Sequence, residues 1–149
     1  MCVLFVLYNN HKSINHMKVI LLTGPSNTGK TTTLHELYNT LCPDGKSNNI
    51  EAPKPHPFDG RDYIYYVRYN SKKIGIVTLG DYAIETVFQI GVFLAKGADV
   101  LVIANSNKEF PETICKWHSA EYDGELERVV VDKLSINDQG KVQEIIVKL

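Results

Sequence analysis

The chain has 149 residues, of which 44% are hydrophobic and 22% are charged. This composition is that of an ordinary globular protein and excludes a mainly disordered, collagen-like or coiled-coil protein. The 16 Lys and Arg residues nearly balance the 17 Asp and Glu residues, and the net charge is −1. Dedicated nucleic-acid binders need a surplus of basic residues, so the charge balance argues against nucleic acid as the main partner while leaving it open.

Cysteine usage and hydropathy predict a cytoplasmic protein. Cys2, Cys42 and Cys115 are odd in number and form no C-x-x-C pair, as is typical of thiols in a reducing compartment. No apolar run approaches the roughly 20 residues that a transmembrane helix needs. The apolar stretch 2–8 has no basic segment before it and no cleavage-site pattern after it, so it does not resemble a signal peptide. We therefore expect no membrane partner.

Residues 1–16 differ from the rest of the chain. They consist of an apolar run followed by a polar linker, whereas a regular pattern of strands and helices begins at Met17. We predict that residues 17–149 form one domain. Residues 1–16 are predicted to be an N-terminal extension, which is either an additional edge strand or the remnant of an upstream start.

The predicted elements alternate between strands and helices. Apolar residues predict a strand over 18–23, and their recurrence at i, i+3, i+4 and i+7 predicts a helix over 30–41. Four prolines predict that residues 43–60 form a long polar loop. The later predictions are hairpin strands over 62–69 and 73–79, a helix over 82–96 capped by Gly97, a strand over 99–104, a short helix over 111–120, a strand over 126–134 and a helix at the end.

This order of elements predicts an α/β protein. Strands that alternate with helices are typical of a mostly parallel sheet with helices on both faces. The hairpin adds one antiparallel strand to that sheet. We therefore expect a three-layer α/β sandwich.

The segment from Gly24 to Thr31 reads Gly-Pro-Ser-Asn-Thr-Gly-Lys-Thr and matches G-x-x-x-x-G-K-[ST] at every fixed position. It lies between the first predicted strand and the first predicted helix, which is the context this motif requires. Through this Walker A motif the chain resembles the P-loop NTPases, most of all small bacterial ATP-binding proteins. The resemblance is specific over residues 18–41, and it implies a P-loop NTPase sandwich that binds ATP, or another nucleoside triphosphate, with Mg²⁺.

The residue types of this loop suit a phosphate ligand. Gly24 and Gly29 let the backbone wrap a phosphate, and the following helix adds free N–H groups. Lys30 is predicted to neutralise the β- and γ-phosphates as a catalytic residue, and Thr31 to bind Mg²⁺ through its hydroxyl. Thr32 and Thr33 either reach the α-phosphate or fill the first helical turn. The predicted nucleotide-binding residues are Gly24, Ser26, Asn27, Thr28, Gly29, Lys30, Thr31 and Thr32.

A P-loop also needs an acidic group, at the end of a neighbouring strand, that holds Mg²⁺ or orients water. Asp81 follows the apolar residues 74–80 and is predicted to be a catalytic residue and a metal ligand. A role as N-cap of the next helix is the alternative for Asp81, and the two roles are compatible. Glu85 is a weaker candidate. Asn105 or Asn107 either senses the γ-phosphate or belongs to a plain turn.

The motif does not identify a substrate. The order of elements is similar to that of Ras-like GTPases, but Asp81 begins no D-x-x-G motif, and residues 107–110 lack the aspartate of N-K-x-D. Guanine specificity is therefore not indicated. Nucleoside kinases bring several arginines to the transferred phosphate, whereas this chain has only Arg61, Arg68 and Arg128.

Two functions are consistent with these residues. The first is an enzyme that binds Mg-ATP and hydrolyses its γ-phosphate or transfers it to an unknown acceptor, as a small-molecule or nucleoside kinase does. The alternative is a binding module with slow turnover, in which nucleotide orders the 43–60 loop for a partner protein or nucleic acid. The hairpin tyrosines either stack on a base or are half-buried strand residues. They are Tyr63, Tyr65, Tyr66 and Tyr69.

Overall fold

The computed structural model describes residues 17–25, 29–56, 59–79, 83–106, 126–130 and 139–149. The strands are β1 (Lys18–Gly24), β2 (Asn49–His56), β3 (Asp59–Tyr69), β4 (Lys72–Val77), β5 (Val100–Ser106) and β6 (Leu126–Val130), and the helices are α1 (Lys30–Leu41), α2 (Ala83–Ala95) and α3 (Gln139–Lys148). None of the helices in these ranges has the length and apolar character needed to cross a bilayer. The predicted extension over 1–16 and the predicted helix over 111–120 lie outside the described residues.

The described strands form one mixed sheet in the order β2-β3-β4-β5-β1-β6. The strands β4, β5, β1 and β6 pair in parallel, whereas β2, β3 and β4 form an antiparallel meander. The turn between β3 and β4 consists of Asn70 and Ser71, whose φ angles are 48° and 64°. Positive φ at both residues is the backbone conformation of a two-residue hairpin, so the predicted hairpin is confirmed.

The predicted three-layer P-loop sandwich, with a mostly parallel sheet and one antiparallel hairpin strand, is wrong. The sheet is mixed, because two of its five strand pairings are antiparallel and the β2-β3-β4 meander makes up one half of it. The described helices are also unevenly divided. The helices α1 and α3 contact each other on one face, and α2 packs against the other. The α/β class itself holds.

The predicted loop over 43–60 is wrong at residues 49–56, which form the edge strand β2. Pro53 and Pro55 donate no ladder hydrogen bonds, which is why the segment suggested a loop. Prolines are tolerated at edge strands and bulges, and β2 shifts its register on β3 at three points.

An ion pair ties β2 to the end of α2. Lys96 Nζ donates to Glu51 Oε2 at 2.9 Å, and this contact lowers the pKa of Glu51.

Two apolar cores lie on opposite faces of the sheet because successive strand residues point to opposite sides. On the face that α1 covers, which we call the α1 face, Ile20 packs with Leu34 and Leu37. On the α2 face, Leu21 packs with Ile90 and Phe93. All six side chains are fully buried. The helical spacing that predicted α1 is therefore the spacing of its buried stripe.

A methyl group at Gly75 is expected to destabilise the α2 face. A Cβ placed there would lie 2.5 Å from Cε1 of the buried Phe93 ring. We expect Gly75→Ala to lower the free energy of unfolding by about 1–3 kcal/mol, since overpacking forces the ring or the backbone to move. Urea denaturation measures this change.

The matched control is Gly91→Ala in α2. A Cβ at Gly91 meets nothing within 4 Å, and alanine is the better helix former by about 0.5–1 kcal/mol. This substitution should therefore raise the free energy of unfolding. Similar effects of the two substitutions would contradict the close packing of Phe93 on Gly75.

Candidate functional site

The buried polar side chains of the described residues lie at one end of the sheet. The parallel strands β1, β4 and β5 share an edge at their carboxyl ends, where β2 also ends and the antiparallel β3 begins. We call it the strand-end edge. The buried polar residues lie there or in the first two turns of α1 and α2, and they are Thr23, Lys30, Thr33, His56, Asp62, Thr78, Thr86, Gln89 and Asn105. Burial of polar groups costs free energy unless it is compensated, so their concentration marks this edge as the candidate site.

At this edge β1 leads into the turn that precedes α1. Gly29 has a φ of 87°, a left-handed conformation that glycine adopts without steric cost. The next residue, Lys30, begins α1 and is only 7% exposed. Its Nζ donates to the carbonyl oxygens of Gly24 at 2.6 Å and Pro25 at 2.8 Å. The ammonium group therefore lies within the turn, at the N-terminal end of α1.

The structure describes part of the predicted nucleotide-binding set. Gly24, Gly29, Lys30, Thr31 and Thr32 lie together where β1 gives way to α1, and Thr32 is exposed on that helix. The remaining members of the set, Ser26, Asn27 and Thr28, lie outside the described residues, as do the predicted catalytic residue Asp81 and Asn107.

Thr33, which follows this set, has a structural contact. Its Oγ1 donates to the carbonyl oxygen of Gly29 at 2.8 Å, and the Thr33 N–H donates to the same oxygen. Both bonds lie within the first turn of α1. Thr33 thus stabilises the start of the helix in this structure.

A chain of polar contacts connects α1 with the end of β4 and the start of β3. Thr31 Oγ1 makes a long contact of 3.5 Å with the Thr78 carbonyl oxygen. The Thr78 hydroxyl donates to Asp62 Oδ1 at 2.8 Å and accepts from the Tyr63 N–H at 2.9 Å. Asp62 is not among the residues predicted from the sequence, because the residues on either side of it carry no motif. A strand-pairing register would have been needed to place it at this edge.

Asp62 is 7% exposed and forms no ion pair with any cationic side chain in the described ranges. A buried carboxylate is costly unless an opposite charge or several hydrogen bonds compensate it. The Thr78 hydroxyl is a neutral partner and compensates only part of that cost. A cation near Asp62 would compensate the rest of that cost.

The residues at this edge fit Mg²⁺ held together with phosphate. Mg²⁺ in such sites is bound by one or two protein groups, phosphate oxygens and several waters. Thr31 offers a hydroxyl at the N-terminal end of α1, and the buried Asp62 offers a carboxylate that a single neutral hydroxyl compensates only in part. Within the part of the chain that the structure describes, no group of three or more His, Cys, Asp or Glu side chains could hold a metal ion by itself.

Two buried polar atoms at the strand-end edge have no hydrogen-bond partner among the described residues. They are Thr23 Oγ1 and Asn105 Nδ2, in side chains that are 4% and 1% exposed. Thr23 lies opposite Asn105 in the β1-β5 pairing, and strand alternation puts both on the α2 face. An unpaired buried donor costs about 1–3 kcal/mol. This pair is therefore expected to gain a partner when a ligand or water occupies the edge.

Another group of polar side chains joins the end of β2 to the first turns of α2. His56 Nε2 lies 2.9 Å from Glu85 Oε1, and Gln89 Nε2 donates to the same oxygen at 2.8 Å. His56 is buried and Glu85 is largely buried. Glu85, the weaker sequence candidate for the acidic group, is thus held by two partners that tie β2 to α2.

An aromatic cluster lies between α1 and β3. The Tyr65 ring stacks on Tyr38 with centroids 3.9 Å apart, and His35 Nδ1 lies 2.6 Å from the Tyr65 hydroxyl. Burial raises the pKa of Tyr65 to about 12, so this phenol keeps its proton at neutral pH. Tyr65 and Tyr66 are buried, while Tyr63 is half-buried. These positions suit strand tyrosines that pack in the core, and base stacking stays a prediction.

Comparison with known proteins assigns no family. No family model matches the chain, and no curated protein and no solved structure matches it. Any proposal about function therefore depends on the chemistry of the strand-end edge.

The unpaired hydroxyl of Thr23 yields a prediction for the ligand-free protein. Thr23→Val keeps the shape of the side chain and removes a hydroxyl without a partner, so we expect the free energy of unfolding to rise by about 1 kcal/mol. Thr33→Val is the matched control, because it removes a hydroxyl that binds the Gly29 carbonyl, and it should lower the free energy of unfolding by about the same amount. Denaturation in urea measures both. Equal destabilisation by the two substitutions would show that Thr23 already has a partner.

Proposed function

We propose that the chain is a P-loop protein that binds ATP, or another nucleoside triphosphate, together with Mg²⁺ at residues 24–31. The bound nucleotide is then hydrolysed, or its γ-phosphate is transferred to an acceptor. The observation that carries this proposal is the buried ammonium of Lys30, which the Gly24 and Pro25 carbonyls hold within the turn. A cation, a glycine-containing turn and a helix N-terminus together favour an anion, because all three present positive charge or N–H groups.

In this proposal Lys30 exchanges its carbonyl partners for phosphate oxygens. Hydrogen bonds from an ammonium to an anionic oxygen are shorter and about twice as strong as those between neutral groups. The exchange therefore favours the phosphate-bound state. The carbonyl contacts keep the ammonium satisfied until then, at 2.6 and 2.8 Å. The positive charge of Lys30 would then neutralise the β- and γ-phosphates.

Several finer predictions belong to the same proposal. Asp81 remains the predicted catalytic and magnesium-binding residue, and the acceptor of a transferred phosphoryl group is left open. A cytoplasmic location also remains part of the proposal, and the free thiol of Cys42 agrees with a reducing compartment. A protein partner is not required by any of these residues.

The alternative is a binding module with slow nucleotide turnover. It depends on a loop over 43–60 that becomes ordered when nucleotide binds. Residues 49–56 of this segment already pair with β3 as the strand β2. Glu51 and His56 also tie β2 to α2 through Lys96 and Glu85. The described part of the segment therefore offers little for a nucleotide to order, and we give the enzymatic function precedence.

Removal of the Lys30 charge tests the proposed site. We expect Lys30→Ala to weaken the binding of Mg-ATP by about 10- to 100-fold or more, since a hydrogen bond to a charged group contributes about 1.5–3 kcal/mol. Isothermal titration calorimetry measures the affinity, and circular dichroism checks that the variant is folded. Lys46→Ala is the control, because Lys46 is an exposed lysine in the turn after α1. Equal affinities of the two variants for Mg-ATP would refute the site.

Product analysis separates the two reactions. Release of inorganic phosphate from ATP without an added acceptor indicates hydrolysis, whereas a phosphorylated nucleoside or small metabolite indicates transfer. The Lys30→Ala variant should lose whichever activity the wild type shows. Phosphate release that persists in this variant would assign the activity to a contaminant or to another site.

A further inference from the structure

We propose that Asp62 is a positioning residue for the Mg²⁺ that accompanies the nucleotide, and that it acts through Thr78 on Thr31. This inference rests on the proposed function and adds a residue to its site. No motif points to Asp62, which lies in the antiparallel strand β3 rather than after a parallel strand.

The register of the sheet places Asp62 at the strand-end edge. Ile64 of β3 pairs with Val77, the last residue of β4. Asp62 precedes Ile64 by two residues, and the chain direction of β3 is opposite, so Asp62 lies just beyond the end of β4. In this position the Asp62 carboxylate accepts a hydrogen bond of 2.8 Å from the Thr78 hydroxyl.

The charge of Asp62 favours a cation in this place. Its side chain is buried, and its hydrogen bond in the described structure comes from a neutral hydroxyl. A carboxylate close to a triphosphate is repelled by it unless a cation lies between the two. The position therefore suits a nucleotide with Mg²⁺ and disfavours one without it.

Thr78 connects this charge to the P-loop helix. Its hydroxyl is used twice, as a donor to Asp62 and as an acceptor from the Tyr63 N–H. These two bonds hold Thr78 in one orientation, and its carbonyl oxygen then faces Thr31 Oγ1. Asp62 thus helps to determine where the hydroxyl predicted to bind Mg²⁺ lies.

A separate observation indicates that a ligand fills the same edge. Thr23 and Asn105 end the neighbouring strands β1 and β5 with buried polar atoms that lack partners in the described residues. Neither residue belongs to the series of contacts that joins Asp62, Thr78 and Thr31. The edge therefore holds both a partly compensated charge and unsatisfied hydrogen-bonding groups, as a site built for a polar ligand does.

The test measures the dependence of nucleotide affinity on Mg²⁺. Asp62→Asn keeps an oxygen that accepts from Thr78 and removes the charge. We expect its affinity for ATP in the presence of Mg²⁺ to fall by about 10-fold or more, the usual effect of losing a group that supports a metal ligand. In EDTA its affinity for ATP should equal or exceed that of the wild type, because a repulsive charge has been removed. Calorimetry with ATP under both conditions measures these affinities.

Two further variants keep the test decisive. Thr78→Val removes the hydroxyl between Asp62 and the P-loop helix and should also weaken Mg-ATP binding more than ATP binding in EDTA. Asp44→Asn is the control for charge alone, since Asp44 is an exposed carboxylate in the turn after α1, and it should leave both affinities unchanged. Should Asp62→Asn fail to fold, the Thr78→Val comparison decides.

The outcomes distinguish this inference from the proposed function. A parallel loss of affinity with and without Mg²⁺ means that Asp62 only supports the fold, and it overturns the inference. Unchanged affinities for Asp62→Asn overturn it as well. In both cases the wild type still binds nucleotide, and the proposed function stands. A wild-type protein that binds no nucleotide under either condition overturns both.

Discussion

The parallel pairing of β1 with β5 is the constraint on which the rest of the structure depends. It aligns Lys18 to Gly24 with Val100 to Ser106, residue for residue, and places Thr23 beside Asn105. Most of the aligned length is apolar and fully buried, which anchors the centre of the sheet. The polar ends of both strands consequently emerge together, next to the turn that carries Lys30. The position of the candidate site is thus a consequence of how the core is packed.

The antiparallel half of the sheet adds chemistry to this edge. A purely parallel sheet would bring only strand ends there, whereas the meander also brings the start of β3 and, with it, Asp62. The edge strand β2 runs back to the same end and delivers His56 against Glu85. The departure from the expected mostly parallel sheet therefore enlarges the set of polar groups around the start of α1.

The apolar cores on both faces offset the cost of this polar edge. Burial of a fully apolar side chain contributes about 1.5–3 kcal/mol, and both the α1 and α2 faces hold many such residues. An unsatisfied buried donor such as Asn105 Nδ2 costs a comparable amount. Natural proteins keep such costly groups mainly where function needs them. The concentration of buried polar side chains at the strand-end edge supports this edge as the candidate functional site.

Local patterns in the sequence determined the parts of this protein that depend on near neighbours. Helical spacing predicted α1 with its observed bounds, and the Walker A motif placed Lys30 at the start of that helix. Only the tertiary structure decided that residues 49–56 form an edge strand and that Asp62 lies beyond β4. It also decided that Thr23 and Asn105 are buried together. These outcomes depend on pairing between segments distant in the chain, and residue spacing within one segment carries no information about such pairing.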